Sequence, residues 1–287
     1  MMDHARTLIT AEAEKPADPA IAAMAQAIVQ HHPDALAILA YGSTLRDVKP
    51  DEGLIDLYVL TASMSGVTQN PISQIGCTFI PPNVYYSECT FADKTYRAKY
   101  AALTMTAFAR RVSTGTGNPY FWARFAQPCR LVWTASETAR QQILDALHAA
   151  ATTAFGNARG LQGGAPLQQW ISLFQNTYRT ELRPESADRA DKVVTSNAAY
   201  YESLSQALGD VHPIRANWAL RRFVGKVLSV LRLIKAAFTF QGGADYIAWK
   251  IKRHSGVDIE VTDWQRRHPL LAGITLLPRL LHKGAIK

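Results

Sequence analysis

The sequence predicts an α+β chain, with strands and helices mixed in the first half and helices alone in the second. Three observations carry this. Two apolar runs, Leu36 to Tyr41 and Leu54 to Thr61, read as strands on either side of a Gly-Ser turn at Gly42 and Ser43. Four glycines between Gly156 and Gly164 read as a linker. Beyond them the hydrophobic period is helical throughout. Two units follow, residues 1–158 and residues 159–287.

Taken in order, Asp18 and Pro19 have the chemistry of a helix start, an acceptor at the cap and a preset φ at the first position. The helix runs from Ala20 to His31, and Pro33 ends it. After the two strands, Ser63 to Ser73 reads as a loop. Ile75 to Ile80 is apolar enough for a central strand, closed by Pro81 and Pro82. Val84 to Tyr86 and Thr95 to Tyr100 are short strands, with Ala98 to Val112 turning helical. Ser113 to Pro119 is a Gly-rich loop. Arg124 sits among the aromatics of Tyr120 to Pro128, and a buried Arg needs an anionic partner. Arg130 to Trp133 reads as a strand. Thr134 and Glu137 have capping-box spacing, opening a helix to about Ala154. Helices follow at Pro166 to Arg179, Ser186 to Leu208, Asn217 to Phe240 and Ala244 to His254. At about 100° per residue, the third of these carries Leu220, Phe223, Val224, Val227, Val230, Leu231 and Ile234 on one side. Arg221, Arg222, Ser229, Arg232 and Lys235 fall on the other.

The chain has 287 residues, 48% hydrophobic and 19% charged, which is a globular composition. Its net charge is +8. From Ala216 onward there are 13 Lys and Arg against 4 Asp and Glu, so this quarter holds the whole excess. Such asymmetry points to an anionic partner, either nucleic acid or an anionic lipid surface. Cys77, Cys89 and Cys129 have no metal-ligand spacing, and an odd count suits a reducing, cytosolic compartment. The N-terminus lacks the apolar core of a signal peptide. No apolar run approaches the roughly 18 residues of a membrane span. The tail from His268 is apolar and basic with no acid, a composition suited to the membrane interface.

The stretch that carries chemistry is Ala37 to Thr61. Gly42 lacks a Cβ, so a phosphate chain can approach its backbone. Ser43 adds a hydroxyl and an N–H at the start of the next segment. Asp56 lies inside the second strand, where Asp is disfavoured, and a buried carboxylate there needs a partner or an ion. As a hard oxygen ligand it suits the Mg²⁺ that bridges phosphates. A strand ending in Gly-Ser, followed about a dozen residues later by an acid within a strand, resembles the opening of polymerase-β-type nucleotidyltransferases. Most of these have a second acid where Tyr58 stands.

Six segments in order resemble the phosphatidate cytidylyltransferases of the mitochondrial translocator assembly and maintenance type. They are Ala40 to Ser43, Leu54 to Leu60 with its single Asp, Pro82 to Tyr86, Lys99 to Leu103, Ala123 to Pro128, and Ser229 to Arg253. The resemblance implies a nucleotidyltransferase domain followed by a smaller helical, winged-helix-like domain. It implies transfer of cytidylate from CTP to phosphatidate, giving CDP-diacylglycerol and pyrophosphate. Asp56 would hold Mg²⁺, and Gly42 and Ser43 the triphosphate. Lys99 and Arg124 would neutralise phosphate charge, and Arg232 and Lys235 would meet the lipid headgroup. The partner would be an anionic membrane surface on the cytoplasmic side, not nucleic acid. Two departures stand out. Thr104 to Arg111 is apolar and basic where the family has an acid, which leaves Glu88 as the substitute metal ligand by position. Ala236 follows Lys235 where the family has Gly. The alternatives are a nucleotidyltransferase with another acceptor, and a catalytically inactive lipid-binding relative.

Overall fold

A computed structural model describes residues 2–45, 48–161, 164–182, 187–239, 243–244, 248–249 and 261–267. The tail after His268 lies outside the described residues, as does the helix expected from Ala244 apart from positions 244, 248 and 249.

Five strands form one sheet in the order β3-β4-β2-β1-β5. The central strand β2 (Ile55–Thr61) runs antiparallel to β1 (Ala35–Tyr41) and parallel to β4 (Lys94–Thr104). β3 (Asn83–Phe91) and β5 (Arg130–Thr134) close the two edges, antiparallel to β4 and β1. The register sets Tyr41 opposite Asp56, Asp56 opposite Lys99, and Lys99 opposite Tyr86. These four residues make one row across the sheet. Side chains alternate along each strand, so Asp56, Tyr58, Lys99 and Glu88 share a face, while Leu57, Tyr85 and Tyr100 share the other.

The strand expected at Ile75 to Ile80 is instead helix α4 (Pro71–Phe79), preceded by the short helix α3 (Met64–Val67) in the expected loop. The apolar run fits either element, and the cap decides. Asn70 Oδ1 accepts from the N–H groups of Ile72 and Ser73 at 2.9 and 3.1 Å, with Pro71 at the first helical position. β4 continues to Thr104, past the expected switch at Ala98, because residues 98 to 104 pair with all of β2. Thr104 then caps helix α5 (Met105–Val112) through the N–H of Ala107.

Helices α1 (Met2–Ala13) and α2 (Pro19–Val29) precede the sheet. α2 starts as its sequence requires, with Asp18 Oδ1 accepting from Ala20 N–H at 2.8 Å, and it buries Ile21, Met24 and Ile28. The face bearing Asp56 is covered at its apolar end by α5 and α6 (Trp122–Phe125); Phe125 meets both Tyr58 and Phe108 edge to face. Helix α7 (Glu137–Arg159) is capped by Ser136, not Thr134. Gly156, read from the sequence as linker, lies inside α7, and Gly160 caps it. A Cβ on Gly160 would stand 2.0 Å from Ile214 O, so the chain crosses too closely for any side chain there.

Helix α8 (Pro166–Tyr178) stacks Trp170 on Phe155 of α7. Two helices, α9 (Ala187–Thr195) and α10 (Ala198–Ala207), replace the single one expected from Ser186 to Leu208. One buried cluster runs from the sheet through α7 and α8 to Leu208. The described residues after Thr134 form helices and connections, and the strand pair of a winged helix is not among them.

Helix α11 (Trp218–Thr239) packs on α7, Thr180, Tyr120 and the start of β3, with Arg221, Gly225, Arg232 and Lys235 turned inward. Arg221 Nη1 donates to Asn157 Oδ1 at 2.6 Å. Lys235 Nζ donates to Ile80 O and Pro82 O, both at 2.6 Å, and to Asn83 Oδ1 at 3.0 Å. Gly225 sets the approach, since a Cβ there would sit 2.4 Å from Thr180 O. Gly225→Val is therefore expected to push α11 outward at about 1–3 kcal/mol. Thermal denaturation should show a Tm lower by several degrees, and an unchanged Tm would refute this packing.

Candidate active site

Asp56 is half-buried, and no hydrogen bond or ion pair to its carboxylate is made among the described residues. Burial raises its pKa, opposed by the positive charges of Lys99, Arg124 and Arg189. A half-buried carboxylate without donors, with three cations near it, is a site for charged ligands. Gly42 faces it directly. Its φ is +93°, and a Cβ would stand 2.9 Å from Asp56 Oδ2. The backbone is bare beside the carboxylate for two reasons, then: the left-handed conformation favours glycine, and the space admits no side chain. Ser43 follows at the start of a short 3-10 turn, Ser43–Leu45. Lys99 is half-buried and makes no hydrogen bond or ion pair among the described residues, so its ammonium faces the Asp56 row uncommitted.

Arg124 is set by a cage of tyrosines. Its Nη1 donates to Tyr58 Oη at 2.9 Å. Its guanidinium lies 5.4 Å from the Tyr41 ring centre and 4.6 Å from that of Tyr120. Glu181 faces it at 3.7 Å, long for an ion pair. Arg232 comes to the same ring from α11, 3.8 Å from the Tyr120 centre, with Nε donating to Pro81 O. Tyr120 thus joins two guanidiniums that would otherwise repel, an arrangement completed by an anion.

The structure brings together Gly42, Asp56 and Lys99 at the sheet, with Ser43 next in the chain and Arg124 near enough to act on Asp56; Arg232 reaches this group only through Tyr120. It does not bring Glu88 to Asp56. Glu88 pairs in register with Arg97, further along β3, and its Oε1 accepts from Tyr86 Oη at 2.6 Å and Arg97 Nε at 3.1 Å. Lys235 is also spent elsewhere. Its three acceptors use its three donors, so it anchors α11 to the start of β3, and burial lowers its pKa to about 8. Tyr58, in the place of a second acid, is fully buried; burial raises its pKa well above the usual range and keeps it a neutral phenol bound to Arg124. Arg189 and Glu181 were not legible as site residues, because each stands in a polar stretch that reads as solvated surface.

No group of three or more His, Cys, Asp or Glu side chains among the described residues is placed to hold a metal. Mg²⁺ does not require one. It keeps several waters and is held by one or two carboxylates together with substrate phosphates. The exposed oxygen of an unbonded Asp56 beside bare Gly42 backbone fits that mode. A cavity of about 540 Å³ lies elsewhere, against His32, Tyr85 and Tyr100 of the opposite sheet face. No Lys, Arg, Asp or Glu lines it, so it lacks the permanent cations that would neutralise a triphosphate.

No family model matches the chain. No curated protein matches it either. Among solved structures, a nucleotidyltransferase-like protein from Exiguobacterium sibiricum is similar at 13% identity and a TM-score of 0.30, over 92% of this chain and 91% of that one. A superposition that loose transfers neither an activity nor a site.

Proposed function

We propose that this chain is a nucleotidyltransferase that uses CTP and phosphatidate, forming CDP-diacylglycerol and pyrophosphate. The observation that carries the reading is the unbonded carboxylate of Asp56 facing a glycine that tolerates no Cβ, in one row with an uncommitted Lys99. A triphosphate laid along Gly42 and Ser43 would meet backbone instead of side chains. Mg²⁺ held by Asp56 and the phosphates would supply Lewis-acid charge neutralisation. Lys99 supports the developing charge on the leaving group. Arg124, and Arg232 across Tyr120, orient the acceptor phosphate. The acceptor oxygen forms a bond to the α-phosphorus as the bond to the bridging oxygen breaks, and pyrophosphate leaves with that electron pair. A phosphate monoester is already anionic, so no strong general base is needed, and positioning with charge stabilisation is sufficient.

Arg124→Lys tests the acceptor side. It keeps the charge but loses the planar fork that bonds Tyr58 and stacks on Tyr120. The expected result is a fall in kcat/KM of about tenfold or more, ~1.4 kcal/mol or above, with Tm little changed. Full activity in the Lys variant would remove Arg124 from the site.

The nucleotide is tested by metal-dependent pyrophosphate release from each of the four NTPs with phosphatidate vesicles present. CTP should exceed the others. Equal rates with all four, or release that needs an acceptor other than phosphatidate, would favour a different transferase. Tyr58 in place of a second acid is the observation that favours an inactive relative, and no binding of Mg·CTP by titration calorimetry would decide for it.

A further inference from the structure

Helix α11 is amphipathic in the reverse of the usual sense. Arg221, Gly225, Ser229, Arg232 and Lys235 face the protein, and the apolar stripe faces out. Leu220, Phe223, Val227, Leu231, Ile234 and Phe238 are all exposed, Phe223 by 68% and Phe238 by 74%. The surface continues onto α4, where Gly76 meets the Lys235 stem and Ile72, Ile75 and Phe79 are exposed, Phe79 by 77%. A contiguous apolar surface of this extent marks an interaction site.

Charge selects the occupant. Arg221, Arg232 and Lys235 are turned inward, which leaves exposed Lys226 and half-buried Arg222 beside the stripe; neither α11 nor α4 holds an acid, and the whole chain carries +8. Two copies joined through this face would bring Lys226 of each and two chains of net charge +8 together with no acid on α11 or α4 to offset them. An anionic lipid surface would accept both the apolar stripe and the charge. No helix among the described residues is long and apolar enough to cross a membrane, and α11, with five bases, suits the interface plane. Leu231 and Arg232 are neighbours on α11, one exposed and one against Tyr120, so the outward face and the Arg232–Tyr120 contact lie on the same turn of helix.

We propose that the outward face of α11, extended by α4, is a docking surface for an anionic membrane and seats the chain so that Arg232 and Arg124 meet a lipid phosphate at the bilayer surface. The proposal rests on the lipid-acceptor reading for its substrate, though not for the surface itself. The experiment is co-sedimentation of the full chain with vesicles of phosphatidylglycerol and phosphatidylcholine in roughly equal parts, free of phosphatidate, so that no turnover is needed. The comparison is with a double variant, Phe223→Ser and Phe238→Ser; both positions are exposed, and neither touches the site.

Wild type should pellet, less so at high salt, and the variant should partition at least about tenfold more weakly. Turnover of a water-soluble short-chain phosphatidate should be the same in both. Vesicle binding unchanged in the variant would overturn the proposal. So would a wild-type dimer, seen by light scattering, that the two substitutions split without changing vesicle binding, because a second copy would then cover the face. A Tm several degrees lower with vesicle binding intact would overturn it as well, in favour of a segment of the same chain. Wild type that pellets through this face yet transfers nothing from CTP would support the docking surface and remove the lipid-acceptor reading alone.

Discussion

Asp56→Asn is expected to abolish turnover, by about a thousandfold or ~4 kcal/mol, while the protein stays folded and becomes no less stable. The amide keeps the shape of the side chain but is neutral and a weaker ligand for Mg²⁺. The stability half follows from the carboxyl itself. Burial raises its pKa in the folded state above the ordinary value of 3.8. An acid whose pKa rises on folding favours the folded state only while protonated, and that contribution is lost as pH rises through the folded pKa. At neutral pH the ionised Asp56 therefore works against folding, and the Asn variant should melt at the same temperature as wild type or higher. The gap between their Tm values should close in acid. Wild-type activity should also fall on the acid side at a higher pH than an ordinary Asp would give. A folded Asn variant with activity within about threefold of wild type would contradict the assignment.

Gly42→Val is expected to have the second-largest effect, the loss of measurable CTP binding. Its Cβ would come within 2.9 Å of Asp56 Oδ2, and the residue would have to hold a φ of +93°. A β-branched residue in that region costs roughly 1–3 kcal/mol in backbone strain. The side chain would also occupy the approach to the carboxylate. Gly42→Ala should fall between Val and wild type, because it adds the strain and the Cβ without the branch. Titration of Mg·CTP measures both, and an unchanged affinity in a folded Val variant would reduce Gly42 and Ser43 to an ordinary turn.

Much of the candidate site was legible in the sequence, and the reason is local. An acid inside an apolar strand and a Gly-Ser at the end of another are conspicuous against their neighbours, so Asp56, Gly42 and Ser43 could be named without a partner in view. Arg124 stood out for the same reason, a lone cation among aromatics. The pairing of Asp56 with Lys99 was not legible, because the parallel β2-β4 contact spans a connection holding two helices and a strand. Periodicity gave the two sides of α11 but not which one turns inward. That choice depends on carbonyls at Ile80 to Pro82, on Thr180 and on Tyr120, all distant in sequence. The third strand was misread because a short apolar run fits helix or strand, and Asn70 with Pro71 was the signal that could have separated them.

Transfer of label is the most direct test of the proposed reaction. The purified full-length chain would be incubated with CTP labelled at the α-phosphate, Mg²⁺ and phosphatidate vesicles, and the organic phase analysed for labelled lipid. The expected result is label in CDP-diacylglycerol, in amounts equal to the pyrophosphate released and abolished in Asp56→Asn. Labelled lipid that is absent while the same protein binds Mg·CTP, or that forms undiminished in the Asn variant, would contradict the account.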